Sequence, residues 1–336
     1  MAAEMMVGQA PPLLALTMGD PAGVGPEVIV KALQDRTAFE ECRPFVVGDV
    51  GILQQALAGG ELEVREIAAL GEAGRQPGRI DVLTVDGVDV DDILPGVLSA
   101  QAGMAAVAWV RRGAELAMAG QIAGIVTAPV NKEAVTLAGV PFTGHTELLA
   151  EIAGSRVAMM LATERLRVVH VSTHVSLREA CERVRRERVL ETITIAAEGC
   201  RRLGIRHPRL AVAGLNPHAG EHGLFGTEDA AEIAPAIADA RSMGIDASGP
   251  WPPDTIFYEA GEGKFDCVVA MYHDQGHIAI KLTDFYGGVN ITLGLPFVRT
   301  SVDHGTGFAI AGKGVANARS MRVAIKLAAQ MAGSPT

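Results

Sequence analysis

The chain has 336 residues, 49% of them hydrophobic, 20% charged and only 4% aromatic, with a formal charge of −10. That length exceeds one typical small core and predicts two domains. The acidic balance excludes nucleic-acid binding as a main task, since phosphate backbones need basic patches, but leaves room for small anionic ligands that need only a few local cations.

At the N-terminus, MAAEMMVGQAPPLL lacks a basic segment followed by a clean apolar stretch, so no secretory signal is indicated. LLALTM (Leu13–Met18) reads as a buried strand, and GDPAGVGPE (Gly19–Glu27) turns it into a helix with Pro26 suited to the first turn. This is no P-loop, because no Gly-Lys-Ser/Thr follows, and it lacks the third glycine of the dinucleotide fingerprint. Taken alone it reads equally as a tight structural turn or as a loop that lets a ligand approach. RPFVVGD is the next strand, and residues 59–98, where Gly, Glu and Asp cluster, read as loops and short strands. AQAGMAAVAWVRRGAELAMAG follows as a helix, then AGIVTAPV and LRVVHVST as strands and RERVLETITIAAEGCRRLG as a helix. RLAVAGLN is a strand, and TEDAAEIAPAIADARSMG a helix with Thr227 and Asp229 expected at its N-terminal cap. FDCVVAMYH and GVNITLGL complete the strands. Such alternation predicts an α/β chain with a largely parallel sheet. No run reaches the roughly 18 apolar residues of a membrane span. The four dispersed cysteines, Cys42, Cys181, Cys200 and Cys267, form no CxxC and suggest a reducing, cytoplasmic setting.

Polar residues fall repeatedly just after these strands, in TMGDPAGVGPE, TAPVNK, VSTHVS, GLNPHAGEHG, YHDQGH and RTSVDHGTG. Open α/β sheets place ligands at such strand ends, so one cleft is expected to gather all six. His174, His218 and His273 each end a predicted strand, and three neutral imidazoles would suit a divalent ion, although their separations are not local ligand spacings. His170 and His207 read instead as core residues. His218-Ala-Gly-Glu221-His222 formally matches the inverted zinc-protease motif, but Pro217, Gly220 and Gly223 forbid the helix that motif needs. Lys281, Arg299, Asn290 and the His145-Thr146 pair supply the donors that a phosphate requires.

LTMGDPAGVGPE, TAPVNKEA, GHTELLAE, LNPHAGEHGLFGTED, PPDTIF, YHDQGH and VNITLGLPFVRTSVDHGT together closely resemble the 4-hydroxythreonine-4-phosphate dehydrogenase family, over about residues 13 to 330. DHGTGFAIAGKGVAN and GDPAGVGPE also resemble the cofactor loop and turn of isocitrate and isopropylmalate dehydrogenases. The resemblance implies two α/β/α domains with a cleft between them: 1–140 plus 308–336 on the cofactor side, and 141–307 carrying metal, substrate and dimer contacts. It implies a non-Rossmann NAD or NADP site at Gly19, Asp20, Gly23, Gly25, His304, Gly305 and Thr306. One zinc, magnesium, cobalt or manganese ion per subunit is implied on His174, His218 and His273. Substrate contacts are implied at His145, Thr146, Lys281, Asn290 and Arg299, in a homodimer whose subunits share each site.

The implied reaction oxidises the 3-hydroxyl of a 4-phosphorylated hydroxy acid and then decarboxylates the product. Asp254 would help to position or deprotonate the hydroxyl, and Lys281 would meet the phosphate. His277 stands where the biosynthetic enzymes carry an apolar residue, which resembles the branch acting on D-threonate or D-erythronate 4-phosphate. A further relative acts on an aromatic cis-dihydrodiol acid. Outside this class, a metal-dependent hydrolase or a silent phosphate-binding protein remains an alternative.

Overall fold

The strands form where short β-branched or aliphatic runs can be buried on both faces, as parallel sheets covered by helices require. A computed structural model describes residues 10–57, 59–60, 62–73 and 76–334. Its strands are β1 (Leu13–Thr17), β2 (Arg43–Val47), β3 (Glu63–Ile67), β4 (Arg79–Leu83), β5 (Gly124–Thr127) and β6 (Ala158–Ala162). The remainder are β7 (Arg167–His170), β8 (Leu210–Ala213), β9 (Ala247–Trp251), β10 (Cys267–Ala270), β11 (Val289–Leu293) and β12 (Val298–Val302). They make one sheet in the order β3-β4-β2-β1-β5-β12-β11-β6-β7-β10-β8-β9.

Register divides that sheet into two opposed halves. The run β3-β4-β2-β1-β5-β12 is parallel throughout, and so is β7-β10-β8-β9. Between them the pairs β12–β11, β11–β6 and β6–β7 are all antiparallel. Three reversals turn the second half end over end. The six polar strand ends, expected to gather in one cleft, therefore leave the sheet at two edges: those after β1, β5 and β12 at one, those after β7, β8 and β10 at the other.

One helix spans the difference. YHDQGH was expected to be a strand exit, but His273–Thr283 is an α-helix. It begins without a side-chain cap at Tyr272; instead Gln275, in its first turn, reaches back to accept from the Met271 N–H at 2.7 Å. Gly276 lets it lie close on β7: a Cβ there would stand 2.3 Å from His170 Nε2. The helix leaves the end of β10 and reaches the far edge, where Lys281 Nζ meets Asp303 Oδ2 at 2.5 Å and its carbonyl at 2.8 Å, just past β12.

A large apolar cluster runs through both halves, and a smaller one around Leu161, Val168, Val268 and Ile280 fills the opposite face beneath this helix. Cys42, Cys200 and Cys267 lie buried and reduced, and Cys181 is exposed. The expected cap at Thr227 and Asp229 is different in kind. Residues Asp229–Ile233 form a π-helical turn, and buried Asp229 turns inward to accept from Leu215 N, Asn216 N and Asn216 Nδ2 at 2.9, 3.2 and 2.8 Å. It braces the loop after β8 rather than the helix start. Among the described residues no helix is long and apolar enough to cross a membrane.

Candidate active site

Helical periodicity aligns His273, His277 and Lys281 on one face, four residues apart each time. The His273 and His277 rings stack with centroids 3.5 Å apart and planes at 14°. His174, from the loop after β7, brings its ring to 5.5 Å from His273, and His170 stands 4.8 Å from His277 on the other side. Burial, then the neighbouring His273, pushes the His277 pKa down to about 4. Burial, then His277, pushes that of His170 down to about 3. His174 is lowered too, by desolvation first and then by Lys132. These are neutral imidazoles near pH 7, able to donate, accept or ligate.

A second constellation surrounds Arg299, which is only 2% exposed although it carries a guanidinium. Nη1 donates to Thr292 Oγ1 at 2.8 Å and Nη2 to Thr127 Oγ1 at 2.7 Å, while Nε has no partner. Burial pushes its pKa down to about 9, against a partial pull upward from Glu147. His145, at the start of the His145–Ala153 helix, is held well below its ordinary pKa by burial, then by Arg299 and Lys132, and its Nε2 is also unpartnered. Asn290 Oδ1 is a third buried orphan, and Thr146 Oγ1 lies 3.4 Å from Thr292 Oγ1. A buried cation with hydroxyl neighbours and little countercharge is costly unless an anion completes it.

His218 is set apart. It belongs to a left-handed turn in which His218, Ala219, Glu221 and His222 all have positive φ, so the zinc-protease helix is absent. Its Nδ1 lies 3.0 Å from Glu221 Oε2, which raises its pKa, and exposed Asp254 adds a weaker pull. Its ring packs on Phe225 rather than on another histidine. Among the described residues no three His, Cys, Asp or Glu side chains converge as a metal-holding group. His174 and His273 are thus brought together and His218 is not.

The loops nominated for a cofactor do meet. Val24 N donates to Thr306 O at 2.8 Å, and a Cβ on Gly23 would stand 2.8 Å from that same oxygen, so glycine is needed for the approach. Asp20 is fully buried, with Oδ1 accepting from Ala22 N at 2.9 Å and Oδ2 unpartnered. Gly19 precedes the same turn and Gly25 opens the helix that follows it; His304 and Gly305 are exposed beside Thr306.

Sequence reasoning passed over Thr127, Lys132, Glu147, Thr292, Asp303 and Gln275. Thr127 and Lys132 lie within TAPVNK, and Glu147 within GHTE, so the motifs pointed at the right segments but not at these members. His170 was read as core; it is buried, yet its Nε2 is unpartnered beside His277. His207 was also read as core and is exposed, because it lies in the loop before β8 rather than in a strand.

A beta-decarboxylating dehydrogenase from Thermococcus kodakarensis shares the fold alone, with a TM-score of 0.50 at 13% identity, covering 94% of this chain and 81% of that one. The architecture is thus an α/β scaffold of two opposed halves. A family model for the pyridoxal phosphate biosynthetic protein PdxA matches residues 40–328. The D-threonate 4-phosphate dehydrogenase of Salmonella typhimurium is 50% identical over 323 residues, covering 95% of this chain and 98% of that protein. A crystal structure of 4-hydroxythreonine-4-phosphate dehydrogenase from Klebsiella pneumoniae matches with a TM-score of 0.87 at 48% identity, covering 96% of this chain and 99% of that one. The chain belongs to the PdxA family, and it is a dehydrogenase, an oxidoreductase acting on a CH–OH group.

Proposed function

We propose that the chain oxidises the 3-hydroxyl of a 4-phosphorylated 3-hydroxy acid with NAD or NADP and then decarboxylates the resulting β-keto acid. The observation that carries this reading is buried Arg299 with its Nε unpartnered, flanked by the orphaned His145 Nε2 and Asn290 Oδ1. Arg299 Nε offers an anion a fixed charge and a donor, His145 Nε2 donates in its Nε2–H tautomer, and Asn290 Oδ1 can accept from a substrate hydroxyl, all in a site that is already desolvated. Lys281 would share the phosphate, turning remote binding energy into orientation at C3. A bound nicotinamide would supply the hydride acceptor for C3, and Asp254 is the candidate base that would take the hydroxyl proton. The bond to the carboxylate then breaks, carbon dioxide departs, and the electron pair is held on the former C3 oxygen until carbon is reprotonated.

His174 and His273 fit as two imidazole ligands of a divalent ion, zinc, magnesium, cobalt or manganese. His218 would be the third, supplied by a second copy of the chain, since it stands apart from them within one. An ion so held would lower the pKa of the hydroxyl and stabilise negative charge on its oxygen.

The substrate would be D-threonate or D-erythronate 4-phosphate, yielding dihydroxyacetone phosphate. The alternative is 4-hydroxythreonine 4-phosphate, yielding 3-amino-2-oxopropyl phosphate. Neutral His277 in the His273–Lys281 row favours the former, because an imidazole can exchange a hydrogen bond with a C2 hydroxyl and supplies no negative charge for a C2 ammonium. NADH formation from the three acids, by wild type and by His277→Leu with metal present, is the test. The hydroxy acids should give kcat/KM at least equal to the amino acid, and the mutation should erode that advantage. A strong preference for the amino acid, unmoved by His277→Leu, would return the chain to the other branch. No NADH from any of them would end the oxidation reading.

A further inference from the structure

Lys132 opens a short helix, Lys132–Leu137, whose first N–H groups are capped by Asn131: Oδ1 accepts from Glu133 N at 2.9 Å and from Ala134 N at 3.2 Å. A cation at that end opposes the helix dipole, so local stability does not explain it. The base on which it stands is rigid. A Cβ on Gly103, in the Ala100–Met118 helix, would stand 2.3 Å from the Ala134 carbonyl carbon. The exit of β5 that leads to Lys132 is fixed as well: Ala128 N donates to Thr17 O at 3.1 Å, and Pro129 O accepts from Asp20 N at 2.8 Å.

Lys132 is exposed, and among the described residues its ammonium makes no hydrogen bond and no ion pair. It lies against the residue that precedes His145: a Cβ on Gly144 would stand 3.8 Å from Lys132 Nζ. The same Cβ would stand 2.6 Å from Glu147 Oε2, yet that carboxylate stays outside ion-pair distance of the ammonium. The charge of Lys132 reaches both parts of the candidate site. Desolvation, then Arg299, then Lys132 lower the His145 pKa; desolvation, then Lys132, lower that of His174. The other cations here are engaged. Lys281 pairs with Asp303 at 2.5 Å, Arg183 with Glu179 at 2.5 Å and Arg188 with Glu191 at 2.6 Å, while Arg299 donates to two threonine hydroxyls.

We propose that Lys132 binds the C1 carboxylate of the substrate, the group that departs as carbon dioxide. The inference rests on the substrate reading given above and adds the residue that recognises the acid's second anionic end. A 4-phosphorylated hydroxy acid carries a phosphate at one end and a carboxylate at the other. Arg299 and Lys281 account for the phosphate; an ammonium with all three hydrogens unused is the complement for the carboxylate. With both ends held, the C3 hydroxyl between them has little freedom to turn away from the imidazoles.

Calorimetric titration without nicotinamide, and with zinc present, tests this in the absence of turnover. The two ligands are D-erythronate 4-phosphate and D-erythritol 4-phosphate, in which a hydroxymethyl group replaces the carboxylate. Wild type should bind the acid at least ~10-fold more tightly than the alcohol, as a charge-assisted hydrogen bond requires. Lys132→Met, close in length but uncharged, should weaken the acid ~10-fold or more and the alcohol less than ~2-fold. Lys132→Arg keeps the charge and should retain most of the preference. Equal weakening of both ligands in Lys132→Met would assign the residue to the phosphate or to the fold, and would overturn the proposal. So would a preference unchanged in Lys132→Met, or a wild type that does not distinguish the two. If wild type binds neither ligand, the substrate reading fails and this inference with it.

Discussion

Asp20 sits in the turn after β1 with no exposed surface and one carboxylate oxygen unpartnered. Burial outweighs the Ala22 N–H bond and raises its pKa from 3.8 to about 6. A raised pKa means that the fold favours the protonated acid. Its stabilising contribution is complete below 3.8 and is lost as pH rises through about 6. The loss is on the order of 3 kcal/mol at most. Asp20→Asn, neutral at every pH, should therefore be more stable than wild type well above pH 6, and the gap should close as pH falls through that value. Thermal melts across the range check it; a gap that stays constant with pH would show that Asp20 is not the titrating group. At this scale much was legible, because Asn290 and Arg299 stand out as polar residues in a nearly uncharged segment, and Arg299 Nε and Asn290 Oδ1 prove to be buried orphans, as does His145 Nε2. His170 was not. A histidine inside a β-branched run looks the same whether its second nitrogen is satisfied or free.

The 273–283 helix carries the argument for elements. Its sequence, HDQGHIAIKLT, has a glycine in the second turn and modest amphipathicity, so it was read as a strand exit; tertiary anchoring decides instead. Gln275 accepts from Met271 N at 2.7 Å and donates to Gly214 O at 2.8 Å, joining the end of β10 to the end of β8. Leucine is close to glutamine in size and helix propensity but can satisfy neither group. Gln275→Leu should therefore cost about 2–4 kcal/mol, from two part-buried backbone groups at roughly 1–2 kcal/mol each. Urea denaturation measures it; a loss under ~0.5 kcal/mol, the usual range of a surface change, would mean that water replaces the amide. Two of the missed strands have equally local explanations. β12 reads VRTSV, whose arginine and hydroxyls look like loop until Thr127 and Thr292 supply partners for the guanidinium, and β9 contains Gly249-Pro250.

For the whole molecule, length argued for two domains and alternation for a parallel sheet, but no local pattern encodes the three antiparallel pairings that reverse the second half. That reversal bears on how a complete site can form. Within one chain, His174 and His273 meet while His218 stands by Glu221 and Asp254. A two-fold dimer brings the same surface of each subunit against the other, so a residue at one edge can complete a site begun on its partner. If each site takes Lys281 from one subunit and His218 from the other, Lys281→Ala and His218→Ala homodimers should both be inactive. In a mixed dimer one site then collects both substitutions and the other collects neither. Since half of randomly assorted dimers are mixed, co-expression should restore about a quarter of wild-type activity. If both residues serve the site of their own chain, every site in the mixed dimer carries one lesion and nothing returns. An active monomer by light scattering would settle the matter the same way, against sharing.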